Sequence, residues 1–350
     1  MSFSPLNVGI VGTGIFARDD HLPAYQKNPE HFKVSAVFNR TRSKALEFAK
    51  LAEVPDEKVY STVDEIMNDP KIDYIDALLP VQFNVQTLQK AIEHKKPIII
   101  EKPIAATMEQ AREFVRISEN TDIPVAIAEN WLCLSFVQEA KKHIKRIGRI
   151  VGFSHNFTGP NSKGGKYKAT SWRQHAEHLG GSLSDGGVHQ IAILTDLLGD
   201  FDSVSAFTTK VDTNDQMPDA VFAVIKLKSG AIGNYTYGTR FGATKKTITL
   251  KVYGQEGSVL LELNNRDEPV IRVNIGDSKE NASEEEVYTV KQDNTYGVGA
   301  EMLNFYEAVT KKDKNLVRAT PRIAFHHLAC IDAFLKSSDD NGNNVKVETI

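Results

Sequence analysis

The hydrophobic positions in the first third of the chain follow two alternating rhythms. Short, apolar, β-branched runs occur at Leu6–Val11, Lys33–Phe38, Tyr74–Leu79, Pro97–Ile100 and Val125–Ala128. This is the pattern of strands buried on both faces. Between them, Ile15–Lys27, Ser43–Ala52, Val63–Asn68, Asn84–His94 and Met108–Asn120 carry apolar residues at helical spacing, and Thr107 with Gln110 has the form of a capping box. Strand–helix alternation predicts a parallel sheet covered by helices on both faces, the doubly wound α/β arrangement.

Beyond residue 130 the rhythm changes. Leu134–Ile147 reads as an amphipathic helix. Then Ile150–Phe157, Val204–Val211, Ala220–Leu227, Ala231–Thr239, Thr247–Tyr253, Ser258–Leu263 and Val270–Asn274 read as strands, with turn residues at Gly230 and Gly254–Gly257. These strands predict a large open, mostly antiparallel sheet. Leu183–Leu198 interrupts them as a helix, Gly159–His178 as a long loop and Ser278–Glu286 as an acidic loop. A loop of that length inside a domain usually carries function. Helices at Gly299–Lys311 and Pro321–Ser337 close the pattern, and the polar stretch after Asp339 reads as a mobile tail. The expected division is a Rossmann domain over 1–128, an α/β domain over 129–340 whose last helices are free to pack back on the first domain, and a tail over 341–350.

At 350 residues the chain is long enough for two cores. The net charge of -3 argues against a broad nucleic-acid-binding face, which needs a basic surface. No apolar run approaches the ~20 residues that span a bilayer, and no lipidation or leader pattern is read at either end. Cys133 and Cys330 lack metal-ligand spacing and read as small buried hydrophobes of a reducing compartment. A cytoplasmic location is expected, compatible with a nuclear pool, with neither nucleic acid nor membrane as partner and no bound metal.

Candidate chemistry begins at Gly12-Thr13-Gly14-Ile15-Phe16-Ala17, which fits G-x-G-x-x-A between a predicted strand and a predicted helix. Gly12 permits the tight turn, Gly14 lets the backbone approach a pyrophosphate, and Ala17 allows close helix–strand packing. The helix N-terminus offers free N–H groups and the positive end of its dipole. An NAD site usually carries Asp or Glu after the second strand. This chain reads Asn39-Arg40-Thr41-Arg42. Two guanidinium groups in place of an acid favour a 2′-phosphate, and hence NADP(H).

Glu101-Lys102-Pro103 follows the strand Pro97–Ile100, at the carboxyl end where doubly wound sheets bind ligands. A lysine there suits hydrogen bonding to a substrate oxygen. Asp185 and His189 lie at i and i+4 of a predicted helix and share one face. A carboxyl so placed orients an imidazole for acid–base work, or is simply a buried polar contact.

The first motif, the Glu101-Lys102-Pro103 triplet, Trp172-Arg173 and the segment Gly180–His189 in the form GG-x-L-x-D-x-G-x-H together resemble the Gfo/Idh/MocA family of oxidoreductases, over nearly the whole chain. The resemblance implies a fungal, NADP-dependent member whose catalytic groups are Lys102, Asp185 and His189. It places Leu79, Pro80, Asn84, Glu101, Lys102, Asn130, Trp172 and Arg173 near the cofactor or substrate, with His175 on the same loop as Trp172. It implies hydride transfer to or from a small hydroxyl or carbonyl compound: a sugar, polyol, aldehyde or ketone. It also implies a homodimer formed through the outer face of the large sheet. Two positions depart from the family pattern: Asn84 stands where many members have His, and Ala192 where many have Asp. The alternative is a dinucleotide-binding regulator without turnover, similar to the yeast galactose-pathway repressor. Retention of Lys102, Asp185 and His189 speaks against it.

Overall fold

The computed structural model describes residues 4–161, 178–212 and 216–350. These form two compact units.

The first unit comprises the chain up to Asn130 together with Thr295–Phe325. Its sheet contains β1 (Leu6–Val11), β2 (Phe32–Phe38), β3 (Val59–Tyr60), β4 (Tyr74–Ala77), β5 (Ile98–Glu101) and β6 (Val125–Ala128). The order is β3-β2-β1-β4-β5-β6 and every pair is parallel. Val8, Ile10 and Val11 of the central strand are fully buried, which explains the unbroken apolar run. The strand order reverses between β1 and β4, so the crevice for a ligand opens where Gly12 follows β1 and Leu79-Pro80 follow β4. β3 is two residues long and has no readable pattern of its own.

Helical structure begins at residue 15, passes through a π-turn over Ala17–His21 and continues as α1 (Leu22–Gln26). The sequence predicts an ordinary helix here; the wider turn is a finding of the structure. The other helices preceding the second unit are α2 (Arg42–Leu51), α3 (Val63–Asn68), α4 (Asn84–Glu93) and α5 (Met108–Glu119). The full capping box belongs to α3, through Thr62 and Glu65. At α5, Thr107 accepts from Gln110 N at 3.2 Å, but the Gln110 side chain accepts from Ala106 N rather than from Thr107.

The second unit comprises Trp131–Asn294 and His326–Ile350. It holds α6 (Ser135–Ile144), α7 (Ser182–Leu198) and nine strands: β7 (Ile150–Pro160), β8 (Phe201–Thr209), β9 (Ala220–Leu227), β10 (Ile232–Phe241), β11 (Thr247–Gly254), β12 (Gly257–Glu262), β13 (Val270–Ile275), β14 (Glu286–Thr289) and β15 (Val345–Lys346). Their order is β14-β13-β12-β11-β7-β10-β9-β8-β15, antiparallel except for β7 beside β10. One face is buried: His155 of β7 contacts Gln190 of α7, and Tyr235 of β10 stacks on Phe334 with ring centroids 5.3 Å apart. The segment read as a mobile tail contains a strand. Val345 pairs with Val204, Lys346 reaches Asp202 at 2.8 Å and Val347 is buried. A two-residue strand is too short to announce itself by alternation. The acidic loop likewise ends in a strand, where Glu286 takes both arms of Arg146 at 2.7 and 2.8 Å.

Two helices follow the large sheet's main run: α8 (Val298–Lys311) and α9 (Pro321–Asp339). In the first unit, Val298, Met302 and Phe305 of α8 join the core formed by Val8, Ile10, Tyr25 and Phe32. Each such side chain contributes about 1.5–3 kcal/mol when fully buried. Glu301 lies on the same buried side, with neither carboxyl oxygen hydrogen-bonded among the described residues. Burial pushes its carboxyl well above the usual range; His21 opposes this, and Glu101, Glu129 and Asp76 reinforce it. The folded chain therefore holds this proton more tightly than the unfolded chain, and the associated stability is lost as pH rises above the ordinary carboxyl range. Glu301→Gln is expected to gain stability over the wild type as pH rises, by about 1.4 kcal/mol for each pKa unit removed. Denaturant unfolding across acid and neutral pH checks this; parallel curves for the two proteins would mean Glu301 is ionised in the fold.

No helix among the described residues is long and apolar enough to cross a membrane.

Candidate functional site

Gly12 has φ +101°, and a Cβ there would strike the Leu78 carbonyl. Only glycine serves at that position. Gly14 differs: a Cβ there would meet nothing within 4 Å. The space above Gly14 is therefore open within the protein, as approach of a pyrophosphate requires, and Arg18 N bonds back to the Gly14 carbonyl at 3.1 Å to start the helix. Ala17 is fully buried, while Ile15 and Phe16 are half-buried. These residues fit a nicotinamide dinucleotide.

Thr13 and Asn39 are tied together: Asn39 Nδ2 donates to Thr13 Oγ1 at 2.7 Å, and Asn39 Oδ1 accepts from Thr41 N at 2.9 Å. The turn after β2 is thereby fixed against the phosphate-binding turn, with Arg40 exposed at its tip. Arg42 is placed differently from Arg40. Its Nη1 donates to the Val59 carbonyl at 2.9 Å and lies 3.5 Å from Ser61 Oγ. Arg42 holds the chain at β3, so Arg40 is the better placed of the two for a 2′-phosphate.

Lys102 leaves the carboxyl end of β5 and precedes a cis peptide bond to Pro103. Asn84 brackets it. This amide, 1% exposed, donates to the carbonyls of Glu101, Pro103 and Ile104 at 3.0, 3.0 and 3.3 Å. The sequence places Asn84 beside the cofactor; in the fold its donors face the backbone on either side of Lys102. The Glu101 side chain turns to His21 Nε2 at 3.5 Å. His21 itself was not singled out in the sequence. It is 1% exposed and donates from Nδ1 to Asp76 Oδ2 at 2.7 Å. Burial alone would lower its pKa, but Asp76 and then Glu101 raise it to about 10. Tyr25 Oη also donates to Asp76, at 2.9 Å, and Tyr74 Oη donates to Tyr25 Oη at 3.1 Å. Leu79 and Pro80 are half-buried at the end of β4. Asn130 donates to the Tyr296 carbonyl at 2.8 Å.

In the second unit, Asp185 and His189 lie one turn apart in α7, both half-buried. The His189 ring stacks on Trp131, with centroids 5.2 Å apart and planes 13° apart. Tyr237 of β10 sets its hydroxyl against Gly186, so closely that a Cβ there would collide with it. Burial raises the Tyr237 pKa, and the Asp185 charge raises it further. Asp185, His189, Trp131 and Tyr237 thus bring an acid, an imidazole, an indole and a phenol together around the start of α7. Strand alternation puts Tyr237 on the inward face, but only the fold puts its hydroxyl beside Asp185. His155 of β7, stacked on Tyr235, is buried, and that burial lowers its pKa to about 4. It is a neutral core histidine. Trp172, Arg173 and His175 lie outside the described residues.

Two family models match the chain: the NAD-binding Rossmann fold of the GFO_IDH_MocA oxidoreductase family over residues 6–128, and the C-terminal alpha/beta domain of that family over residues 141–347. An uncharacterized protein of Saccharomyces cerevisiae is 56% identical over 346 residues, covering 99% of each chain. The crystal structure of an oxidoreductase from Thermotoga maritima is similar at 30% identity with a TM-score of 0.85, covering 98% of each chain. A levoglucosan dehydrogenase of Pseudarthrobacter phenanthrenivorans is 27% identical over 299 residues, 75% of each chain. The structure of a levoglucosan dehydrogenase in complex with NADH and levoglucosan shares the fold at 23% identity and TM-score 0.84, over 99% of this chain and 100% of that one. The protein is therefore a member of the Gfo/Idh/MocA oxidoreductase family, with an N-terminal domain of the nicotinamide-dinucleotide-binding Rossmann type.

Proposed function

We propose that the protein is an NADP(H)-dependent oxidoreductase acting on a small hydroxyl or carbonyl compound of the sugar, polyol, aldehyde or ketone class. The observation that carries the cofactor choice is the turn after β2, which lacks the acid of an NAD site and presents Arg40 exposed at its tip. Gly12, Thr13, Gly14 and the helix start after them would hold the dinucleotide, with Arg40 and Thr41 on its 2′-phosphate. Bound NADP(H) supplies or accepts the hydride. Lys102 donates a hydrogen bond to the substrate oxygen and stabilises charge developing there. His189, oriented by Asp185 and by its stack on Trp131, gives or takes the proton. Similarity to sugar dehydrogenases supports the substrate class. Fluorescence titration with NADPH and NADH tests the cofactor; the expected result is tighter NADPH binding, and equal affinities would refute it.

A homodimer through the large sheet is part of this proposal. Phe207, Phe222, Val224 and Ile232 share the face turned away from α7, and they are 61%, 46%, 54% and 55% exposed. An apolar patch of this kind on a sheet marks an interaction surface. Phe222→Asp with Val224→Asp is expected to convert a dimer of twice the 38.8 kDa chain mass into a monomer by light scattering. An unchanged mass would place the interface elsewhere.

A further inference from the structure

Around Glu101, the residue before Lys102, the first unit holds a set of buried ionisable groups that packing alone does not require. Asp76, Glu129 and Glu301 are 1%, 2% and 4% exposed, and His21 stands among them with Glu101. Replacing a buried ion pair by apolar side chains of similar volume is commonly neutral or stabilising. What such groups supply instead is geometry.

The geometry here is specific. The π-turn ends on His21. A wider turn carries one more residue than an α-turn, and so changes which side chain faces the sheet. Such turns are frequent at functional sites. The imidazole edge lies on the Phe16 ring, with centroids 5.0 Å apart. Its two nitrogens face two adjacent strands: Asp76 of β4 at 2.7 Å and Glu101 of β5 at 3.5 Å. The Glu101 carbonyl is held by Asn84, and its carboxylate faces the His21 imidazole at ion-pair distance, 3.5 Å, with neither Nε2 nor Oε1 hydrogen-bonded among the described residues. Lys102 is the next residue.

We propose that His21 is a positioning residue for Lys102, acting through Glu101: it ties the carboxyl ends of β4 and β5 together and fixes the point from which the lysine departs. The proposal rests on the reading of Lys102 as the group that meets the substrate oxygen. His21 touches neither cofactor nor substrate in this role. The ionisable groups around it are Asp76, Glu101, Glu129 and Glu301, with the phenols Tyr25 and Tyr74 behind Asp76.

His21→Asn keeps a donor for Asp76 but is too short to reach Glu101. Glu101→Gln is the second variant, which leaves His21 on Asp76. Lysines carrying 13C-methyl groups give one NMR signal each, and that of Lys102 is identified by its loss in Lys102→Met. The signal is expected to move in both folded variants; an unmoved signal in either overturns the proposal. With a substrate in hand, kcat is expected to fall ~10- to 100-fold, since displacements of about 1 Å have that effect. NADPH affinity should stay within about threefold. A kcat unchanged in either variant overturns the proposal. So does a double variant whose loss is the product of the two single losses, because His21 would then not act through Glu101. In 13C-histidine-labelled protein, the His21 signal should hold its proton to about 10 and titrate at lower pH in Glu101→Gln; ordinary titration in the wild type contradicts the pairing. Full activity of Lys102→Met would defeat the catalytic reading of Lys102 while leaving the His21–Glu101 pairing and the moved lysine signal intact, so the two failures are distinguishable.

Discussion

Lys102→Met is expected to lower kcat about a thousandfold while leaving NADPH binding within about threefold of the wild type. The size follows from what the side chain would do. Removing one preorganised donor to a developing oxyanion costs ~100- to 1000-fold, and loss of a positioned proton donor adds to that. Methionine keeps the length and the apolar stem and removes the charge. The backbone should be undisturbed, because Asn84 holds the carbonyls of Glu101, Pro103 and Ile104 and makes no use of the lysine side chain. Cofactor affinity should be spared because the phosphate turn is built on Gly12, Thr13 and Asn39. Steady-state rates paired with a fluorescence titration of the same preparation check both halves. Full turnover would remove Lys102 from the chemistry; loss of NADPH binding would make it a cofactor residue.

The second large effect is expected at Arg40. Arg40→Ala should weaken NADPH binding by about 10- to 100-fold and NADH binding by less than about twofold, since a hydrogen bond to a charged group contributes about 1.5–3 kcal/mol. Arg42→Ala should change the ratio of the two affinities little, because its guanidinium already donates to the Val59 carbonyl. It should lower stability instead, by loosening β3. Equal losses of NADPH and NADH affinity in Arg40→Ala would contradict a 2′-phosphate role. Arg42→Ala as severe as Arg40→Ala would show that Arg42 leaves Val59 when the cofactor binds.

The fold was legible where its demands are local. Gly12 must be glycine because of one backbone angle and one carbonyl, and that demand sits in a six-residue motif. The two rhythms of hydrophobic residues reflect the two sheets, one buried on both faces and one turned to the core on a single face. The elements missed are those whose partners do the specifying. β3 and β15 are two residues long and exist because β2 and β8 offer them an otherwise open edge. The sequence left the last helices free to pack back on the first domain; that α8 does so through Val298, Met302 and Phe305 is a tertiary choice, since these residues would suit any core.

The candidate site divides the same way. Asp185 and His189 announced themselves by helical spacing. Tyr237 did not, because its hydroxyl gains meaning only from Gly186, 51 positions away in the chain. His21 and Asp76 are 55 positions apart and belong to no motif. A π-turn leaves no compositional trace, so the helical pattern over Ile15–Lys27 concealed the residue turned toward the sheet. Arg40 and Arg42 were equivalent as sequence; the Val59 carbonyl separates them.

The central claim is that this chain transfers hydride with NADP(H) through a site that requires Lys102. The most direct measurement is the rate of NADPH oxidation against a panel of sugars, aldehydes and ketones, and of NADP reduction against the matching alcohols and polyols. The wild type and Lys102→Met are run in parallel, each also with NAD(H). At least one substrate should be turned over by the wild type, with kcat/KM at least ~10-fold higher for NADP(H) than for NAD(H), and Lys102→Met should lose that rate. Equal rates with the two cofactors, or an active Lys102→Met, would contradict the account.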